Sequence, residues 1–348
     1  MTTAARDRRP CLVAAALAGF LVLVTTLANV SVVVAKSGPM FSPAYPHPKD
    51  GIEATLDNFD GQASASIAMD PALERGRTWL NGPREAAYRF ARPAFGYLAW
   101  AMSLGQPGAV KWALLALTGV GGALLVYGMA SIAQRLGRAP ERALFVFLTP
   151  FGLAVPFAVG MSDAFGTGFA LIALDKWLDG KRTAAIACWC VAVLCRETLL
   201  VVPIGVALWE LSRERRKDLA VLAVPLVAYV AWLAVVKARI GYLPSDFHTN
   251  DNLGLPFRGF VKAATSYWSA FDWGWLLFGV ALVAAGLRRR ALPAIAWIAL
   301  PNLALLSVLG GDVWFSGFDW GRVLLPLVAL CVVALLPEAR STRQTSPA

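Results

Sequence analysis

The sequence predicts an all-α membrane protein with about ten spans, and three observations carry this prediction. Hydrophobic residues make up 57% of the 348 residues and charged residues only 16%, whereas soluble domains are about 45–50% apolar and about 25% charged. Long uncharged runs recur along the whole chain, which is typical of repeated membrane spans. These runs lack the strict alternation of apolar and polar residues found in outer-membrane barrels, so we expect the spans to be helical.

The apolar runs divide into ten predicted spans within one integral membrane domain, 1–348. The first run follows a basic start and has about 25 residues, whereas the apolar core of a cleavable signal peptide has roughly 7–15. We therefore expect it to be retained as a span. The predicted spans are 11–35, 109–134, 142–160, 163–179, 183–196, 198–211, 218–238, 273–288, 291–309 and 321–337.

Some of the apolar runs are shorter than the about 20 residues that a vertical span needs. The runs 183–196 and 198–211 are interpreted as a shallow hairpin whose tip carries Arg196 and Glu197. The run 93–104 is interpreted as a re-entrant or interfacial helix.

The charged linkers predict the orientation of the spans. One set of linkers, together with both termini, carries 18 basic and eight acidic residues, an excess that equals the net charge of +10 of the whole chain. Because cytoplasmic loops of membrane proteins are enriched in Lys and Arg, both termini are predicted to be cytoplasmic. Three substantial segments then lie on the outer side, namely 36–92, 239–272 and 310–320.

Composition and motifs exclude several functions. The excess positive charge follows from topology, so no nucleic-acid partner is expected. The five cysteines lie in apolar runs far from His47 and His248, which is typical of packing residues and not of a zinc site. The chain has no P-loop, no clear dinucleotide glycine motif and no Gly-x-Ser-x-Gly. Carboxylates and cations on the outer side remain as the candidates for chemistry.

The candidate carboxylates begin with the stretch NFDGQASASIAMDP, which carries Asp60 and Asp70 and follows Asp57. Asp57 and Asp60 are three residues apart and would share a face if the stretch were helical. A carboxylate beside a membrane surface can act as a general base toward a hydroxyl. Helix capping in a solvated loop is the alternative for each of them.

The candidate cations lie on the outer side next to apolar runs. Arginine binds phosphate oxygens in a bidentate manner, so these residues can hold a lipid phosphate, although contact with ordinary lipid head groups is the alternative. Arg196 and Glu197 either pair with each other or with a neighbouring helix, or they contact substrate. Asp163 is either a helix cap or a site residue. The outer cations are Arg84, Arg89, Arg92, Lys237, Arg239, Arg258, Lys262 and Arg322.

The order of these motifs resembles the GT-C superfamily, the integral-membrane glycosyltransferases that use polyprenyl-phosphate sugars. The first span is followed by a long outer loop with Asp-Gly-Gln, then by AYRFARPAFGYLAW, SDA at the start of a span, RETLLVVP and GRVLLPL. The resemblance covers most of the chain and is strongest to bacterial members linked to cell-surface glycopolymers.

The resemblance implies roles for individual residues. Asp60 would be the catalytic base, with Asp57 as the nearest alternative. The donor would be a polyprenyl-phosphate sugar, the acceptor a glycan or lipid, and the reaction an inverting transfer that requires no metal or other cofactor. The implied substrate-binding residues are Gln62, Tyr88, Arg89, Arg92, Asp163, Arg196, Glu197 and Arg322.

Two alternatives stay open. Relatives often carry aromatic residues after Asp-Gly-Gln, whereas this chain has Ala63, Ser64, Ala65 and Ser66. That departure allows an inactive scaffold of a glycan-assembly complex, and ten spans also suit a transporter or flippase of lipid-linked sugars. The expected location is the bacterial plasma membrane, with the active site on the extracytoplasmic face and membrane lipids around the spans.

Overall fold

The all-α prediction is confirmed by the computed structural model, which describes residues 7–32, 44, 51–57, 61–74, 82–155, 160–247 and 252–339. Within these ranges, the chain forms α-helices and short 3₁₀ helices, with isolated bridging pairs but no strand. The first nine α-helices are α1 (Arg9–Val32), α2 (Gly51–Asp57), α3 (Gly61–Met69), α4 (Pro83–Arg89), α5 (Pro93–Met102), α6 (Pro107–Arg135), α7 (Pro150–Leu153), α8 (Asp163–Leu178) and α9 (Arg182–Cys195). The others are α10 (Val201–Ser212), α11 (Leu219–Leu222), α12 (Val224–Ile240), α13 (Arg258–Ser266), α14 (Ala270–Arg288), α15 (Ala294–Val308), α16 (Gly311–Trp314) and α17 (Gly317–Leu335).

Five stretches of helix are long and apolar enough to cross a membrane, so the chain has the character of a helical membrane protein. Two further apolar helices, α9 and α15, are shorter, with 14 and 15 residues. The five candidate spans are Arg9–Val30, Pro107–Arg135, Leu219–Ile240, Ala270–Arg288 and Gly317–Leu335.

The predicted span 142–160 is not a continuous helix in the structure. A 3₁₀ helix covers Pro140–Leu148 and is followed by α7, which has only four residues. Pro150 disfavours a helical conformation at the residue before it, and Thr149 is accordingly extended. The hydroxyl of Thr149 then accepts a hydrogen bond from the backbone N–H of Gly152 at 3.1 Å and caps the new helix.

The central helices α6 and α8 pack closely because both carry glycines where they meet. Gly128 of α6 faces Leu171, and Gly168 of α8 lies against Leu124 and Leu125. A β-carbon at Gly168 would lie 2.6 Å from the backbone carbon of Leu124, which leaves no room for a larger residue. Small residues of this kind let helix backbones approach closely in membrane proteins.

Ion pairs tie several helices together at one end of the bundle, which we call the basal end. Asp175 of α8 accepts a hydrogen bond from Arg8 at 3.1 Å and another from Arg135 at 2.9 Å, and Arg135 also bonds Asp179. Asp175 is buried. Four charged groups from three segments of the chain therefore compensate one another at this end.

A second basal group joins α8, α9 and α10. Glu210 accepts a hydrogen bond from the indole N–H of Trp177 at 2.8 Å and lies 3.9 Å from Arg182. The guanidinium of Arg182 lies over the Trp177 ring and also bonds Asp218 at 3.0 Å. The basal end thus contains segments whose basic residues the sequence predicted to lie on one side of the membrane.

The described parts of the segment 36–92, which the sequence predicts to lie on the outer side, pack against the bundle through α3 and α4, together with α5. Gly96 of α5 lies against Ile67 of α3, and the hydroxyl of Tyr97 donates to the carbonyl of Pro71 at 2.6 Å. The indole N–H of Trp232 in α12 donates to the carbonyl of Phe90 at 2.9 Å. These contacts hold α5 against α3 and the end of α4 against α12.

The close packing of α6 and α8 gives a stability prediction. Gly168→Ala inserts a methyl group into backbone atoms of α6 and should destabilise the protein by about 1–3 kcal/mol, as overpacking does. The matched control is Gly108→Ala, because a β-carbon at Gly108 would meet no atom within 4 Å. The melting temperatures of both variants are measured by thermal unfolding in detergent. Equal melting temperatures for Gly168→Ala and the control would contradict the close packing.

Candidate functional site

Four arginines from three distant parts of the sequence line one crevice at the opposite end of the bundle from the basal ion pairs. We call it the arginine crevice. It has a volume of about 20 Å³, enough for about one water-sized group. Asp163 supplies the one carboxylate among the described residues that line it. The lining residues are Ala63, Ser64, Arg89, Arg92, Gly160, Met161, Ser162, Asp163, Arg196 and Arg322.

Asp163 joins two of the four arginines. One carboxylate oxygen pairs with Arg196 and the other lies 3.2 Å from the Nε of Arg322. All three side chains are largely buried, at 7%, 9% and 11% exposure for Asp163, Arg196 and Arg322. Buried charges are tolerated only when they are paired, so Asp163 fixes the positions of both guanidinium groups.

Glu197 holds a third arginine. Arg92 donates two hydrogen bonds to the carboxylate of Glu197, from Nε at 2.8 Å and from Nη2 at 2.7 Å. Burial alone raises the pKa of Glu197, but the charge and paired hydrogen bonds of Arg92, together with the charge of Arg196, lower it to about 2. Glu197 is therefore ionised at neutral pH and orients the Arg92 fork.

Arg89 and Tyr88 complete this side of the site. Arg89 pairs with Glu85 one turn earlier in α4, at 3.3 Å. The hydroxyl of Tyr88 accepts a hydrogen bond from the Asn252 amide at 3.1 Å, and the guanidinium of Arg92 lies 5.6 Å from the centre of its ring. Tyr88 thus links α4 to the second outer segment.

The ends of two helices explain why the charges sit here. Asp163 lies in the first turn of α8 and Arg196 is the residue that caps the end of α9. An acid at a helix start and a base at a helix end both complement the helix dipole. The hydroxyl of Ser162 donates to the carbonyl of Cys195 at 2.6 Å and joins the two helix ends directly.

A much larger cavity of about 1170 Å³ adjoins the crevice, and Arg92, Arg196 and Arg322 line both. One wall of this large cavity is apolar and comes from α10 and α15. The rest of the lining mixes polar and apolar side chains and includes three carboxylates. The apolar wall consists of Leu200, Val201, Ile204, Pro301, Ala304, Leu305 and Leu309, and the acids are Glu197, Asp312 and Asp319.

The predicted catalytic acids are only partly covered by the structure. Asp60 lies outside the described residues, and Asp57 is the last residue of α2, with a side chain that is also outside them. Gly61 begins α3, and a β-carbon at Gly160, which lines the crevice, would lie 3.0 Å from its Cα. Position 61 is therefore next to the crevice wall.

Gln62 differs from the other predicted substrate-binding residues. Its side chain is buried in α3, it lines neither cavity, and its Oε1 has no hydrogen-bond partner among the described residues. The other seven predicted substrate-binding residues line the crevice, the large cavity or both.

Sequence reasoning missed several polar residues of the site. Asp312 and Asp319 line the large cavity, and Asp319 lies 3.8 Å from Arg322. Their signal was available, because both acids lie in the outer segment 310–320, immediately before Arg322. Tyr229 also lines this cavity but sits inside an apolar run that carries no local signal. Within the described part of the chain, no three acidic, His or Cys side chains are grouped to hold a metal ion.

Comparison of the chain with models of protein families, with curated proteins and with solved structures gave no match. Functional inference therefore rests on the geometry of the crevice, the large cavity and their charges.

Proposed function

We propose that the protein is an inverting glycosyltransferase of the GT-C type, which moves a sugar from a polyprenyl-phosphate donor to a glycan or lipid acceptor of the cell envelope. The observation that carries the proposal is the group of three arginines at the boundary between the arginine crevice and the large cavity. Arg92, Arg196 and Arg322 line both spaces, so their guanidinium groups present N–H donors to an anion in the large cavity. Guanidinium forks match phosphate oxygens in charge and geometry.

The large cavity supports a donor that is both charged and apolar. Its apolar wall of α10 and α15 residues suits a hydrocarbon chain, while three arginines at its edge suit the phosphate. Carboxylates such as Asp312 and Asp319 accept hydrogen bonds from hydroxyl groups, which suits a sugar. A lipid-linked sugar phosphate combines these three chemical parts in one molecule.

The proposed reaction is a displacement at the anomeric carbon of the donor sugar. A carboxylate takes the proton from an acceptor hydroxyl, and the oxygen attacks the anomeric carbon of the donor. The bond between that carbon and the phosphate oxygen breaks, and the electron pair leaves with the polyprenyl phosphate. Arg92, Arg196 and Arg322 stabilise the negative charge that develops on this phosphate.

Asp60 is the proposed base. It is joined directly to Gly61, whose Cα lies close to Gly160 in the crevice wall. In the sequence, Asp60 is therefore one residue away from Gly61, which lies next to the wall of the arginine crevice. Asp57 is the nearest alternative, because it ends the preceding helix.

Asp163 and Glu197 are proposed as positioning residues. Their oxygens already pair with Arg196, Arg322 and Arg92, so their acidic groups orient the arginines. They also compensate the buried positive charge before the donor binds. This role differs from direct substrate contact, which the resemblance to the GT-C superfamily implied for both.

We further propose the membrane arrangement of ten spans, with both termini in the cytoplasm of a bacterium and the crevice facing outward. The basal ion pairs support it, because they gather segments that the positive-inside rule assigns to the cytoplasm. The crevice lies at the opposite ends of α8 and α9. Asp163 and Asp175 are separated by about 18 Å along α8, at about 1.5 Å per residue.

Cysteine labelling in sealed right-side-out vesicles tests this arrangement. A membrane-impermeant maleimide should label Ser266→Cys in sealed vesicles, and Arg215→Cys only after permeabilisation. Both positions are exposed, and the unsubstituted protein controls for its own cysteines. Labelling of both variants in sealed vesicles would contradict the arrangement.

Transfer from a labelled polyprenyl-phosphate sugar by purified protein tests the activity. Asp60→Asn keeps the size of the side chain but cannot accept the proton, so the rate should fall by about 100- to 10,000-fold. Donor binding should change little. Asp57→Asn is the matched control and should retain transfer.

Each result of the transfer assay has a defined meaning. Near-normal transfer by the Asp60→Asn variant would remove Asp60 from the role of base. If only Asp57→Asn failed, the role would pass to Asp57. If the unsubstituted protein transferred none of a panel of lipid-linked sugars, the transferase proposal would be wrong, and the transporter and scaffold alternatives would replace it.

A further inference from the structure

The second outer segment presents a row of apolar side chains away from the protein. Leu255, Phe257 and Val261 are 69%, 61% and 54% exposed. They lie in the turn before α13 and in its first half. Single exposed apolar residues are common, but a continuous row of large ones marks an interaction surface.

Helix α13 has two distinct sides. Gly259 and Ala263 are buried, and a β-carbon at Gly259 would lie 2.2 Å from the carbonyl oxygen of Leu309. The opposite side exposes Val261 together with Arg258 and Lys262. One side is therefore fixed to the protein, and the other combines an apolar group with two cations.

The turn before α13 holds Phe257 in an unfavourable conformation. Its φ of 63° is in the left-handed region, which a residue with a bulky side chain rarely adopts. The backbone N–H of Phe257 donates to the carbonyl of Ser307 and fixes this geometry. The strain keeps a large aromatic ring exposed, which a function at this position would explain.

An aromatic cluster lies directly beneath the helix. The ring of Phe260 in α13 lies 5.4 Å from that of Trp268 and 5.3 Å from that of Trp314. Close by, Tyr267 and Phe315 are more than half exposed and their rings are 5.4 Å apart. Trp and Tyr concentrate at the depth where membrane meets water, so the cluster marks that depth.

We propose that the segment 253–267 lies in the head-group region of the bilayer and inserts Leu255, Phe257 and Val261 among the acyl chains. Arg258 and Lys262 then contact lipid phosphates, as basic residues of interfacial helices do. The neighbouring elements support a bilayer as the partner, because the candidate spans Leu219–Ile240 and Ala270–Arg288 flank this segment. The exposed apolar surface continues from Tyr267 to Phe271 at the start of α14.

The insertion has a consequence for the large cavity. Leu253 lines this cavity and also belongs to the inserted segment. The backbone N–H of Gly254 donates to the carbonyl of Val308 in α15, so the segment is joined to the apolar wall. The edge of the cavity therefore meets the lipid surface. The inference concerns membrane contact alone and does not depend on sugar transfer.

Spin labels at single introduced cysteines in lipid nanodiscs test the proposal. Phe257→Cys and Val261→Cys place the label on the inserted side, in protein whose own cysteines have been replaced. Ser266→Cys is the matched control, because it is exposed and lies about 140° around the helix from Val261. Power saturation compares collisions with lipid-soluble oxygen and with a water-soluble nickel complex.

The labels at 257 and 261 should show a several-fold higher oxygen-to-nickel ratio than the label at 266. A ratio equal to that at 266 would place the segment in water and overturn the proposal. Shielding of 257 and 261 from both reagents would also overturn it, because a second copy or another protein would then cover this surface. Circular dichroism of each variant checks that the helices are retained.

Discussion

The site depends on one buried carboxylate, that of Asp163, which lies between Arg196 and Arg322. Removal of one partner from a buried ion pair typically costs about 3–5 kcal/mol, because the remaining charge stays desolvated. Here one acid supports two cations from different parts of the chain. The ion pairs of Asp163 therefore hold the ends of α8, α9 and α17 together. Separation of these ends would leave unpaired arginines in apolar surroundings, and this constraint maintains the crevice.

Helix length explains why charge can be placed at this depth. Helices α8, α9 and α10 have 16, 14 and 12 residues, whereas about 20 are needed to cross the hydrocarbon core. In the proposed membrane arrangement, the basal ion pairs fix their other ends at one surface, so their polar ends fall short of the far surface. Charge in such a position is costly unless it is paired and is usually functional.

The sequence predicted the fold class and much of the composition of the site, because charges at the ends of apolar runs are conspicuous. Arg89, Arg92, Arg196 and Arg322 were all identified in this way. The pairing of Asp163 and Glu197 with particular arginines could not be predicted, because it depends on how α8, α17, the end of α9 and the start of α5 meet in space. Pro150 was a local signal for the break in the predicted span 142–160. The prediction of a continuous span followed the hydropathy of this run instead. Gln62 was assigned by resemblance alone and lies buried outside both cavities.

The most direct test of the account is the affinity of the purified protein for a polyprenyl phosphate and for the corresponding polyprenol, measured by thermophoresis. The account predicts clear preference for the phosphate. Arg322→Lys keeps the charge but loses the fork, so it should weaken phosphate binding by about tenfold or more, as expected for hydrogen bonds to charged groups of about 1.5–3 kcal/mol. Arg84 is exposed and lies outside the crevice, so Arg84→Lys should leave the affinity for the phosphate unchanged. Equal affinity for the phosphate and the alcohol, or equal effects of the two substitutions, would contradict the claim that the arginines shared by the crevice and the large cavity bind a lipid phosphate.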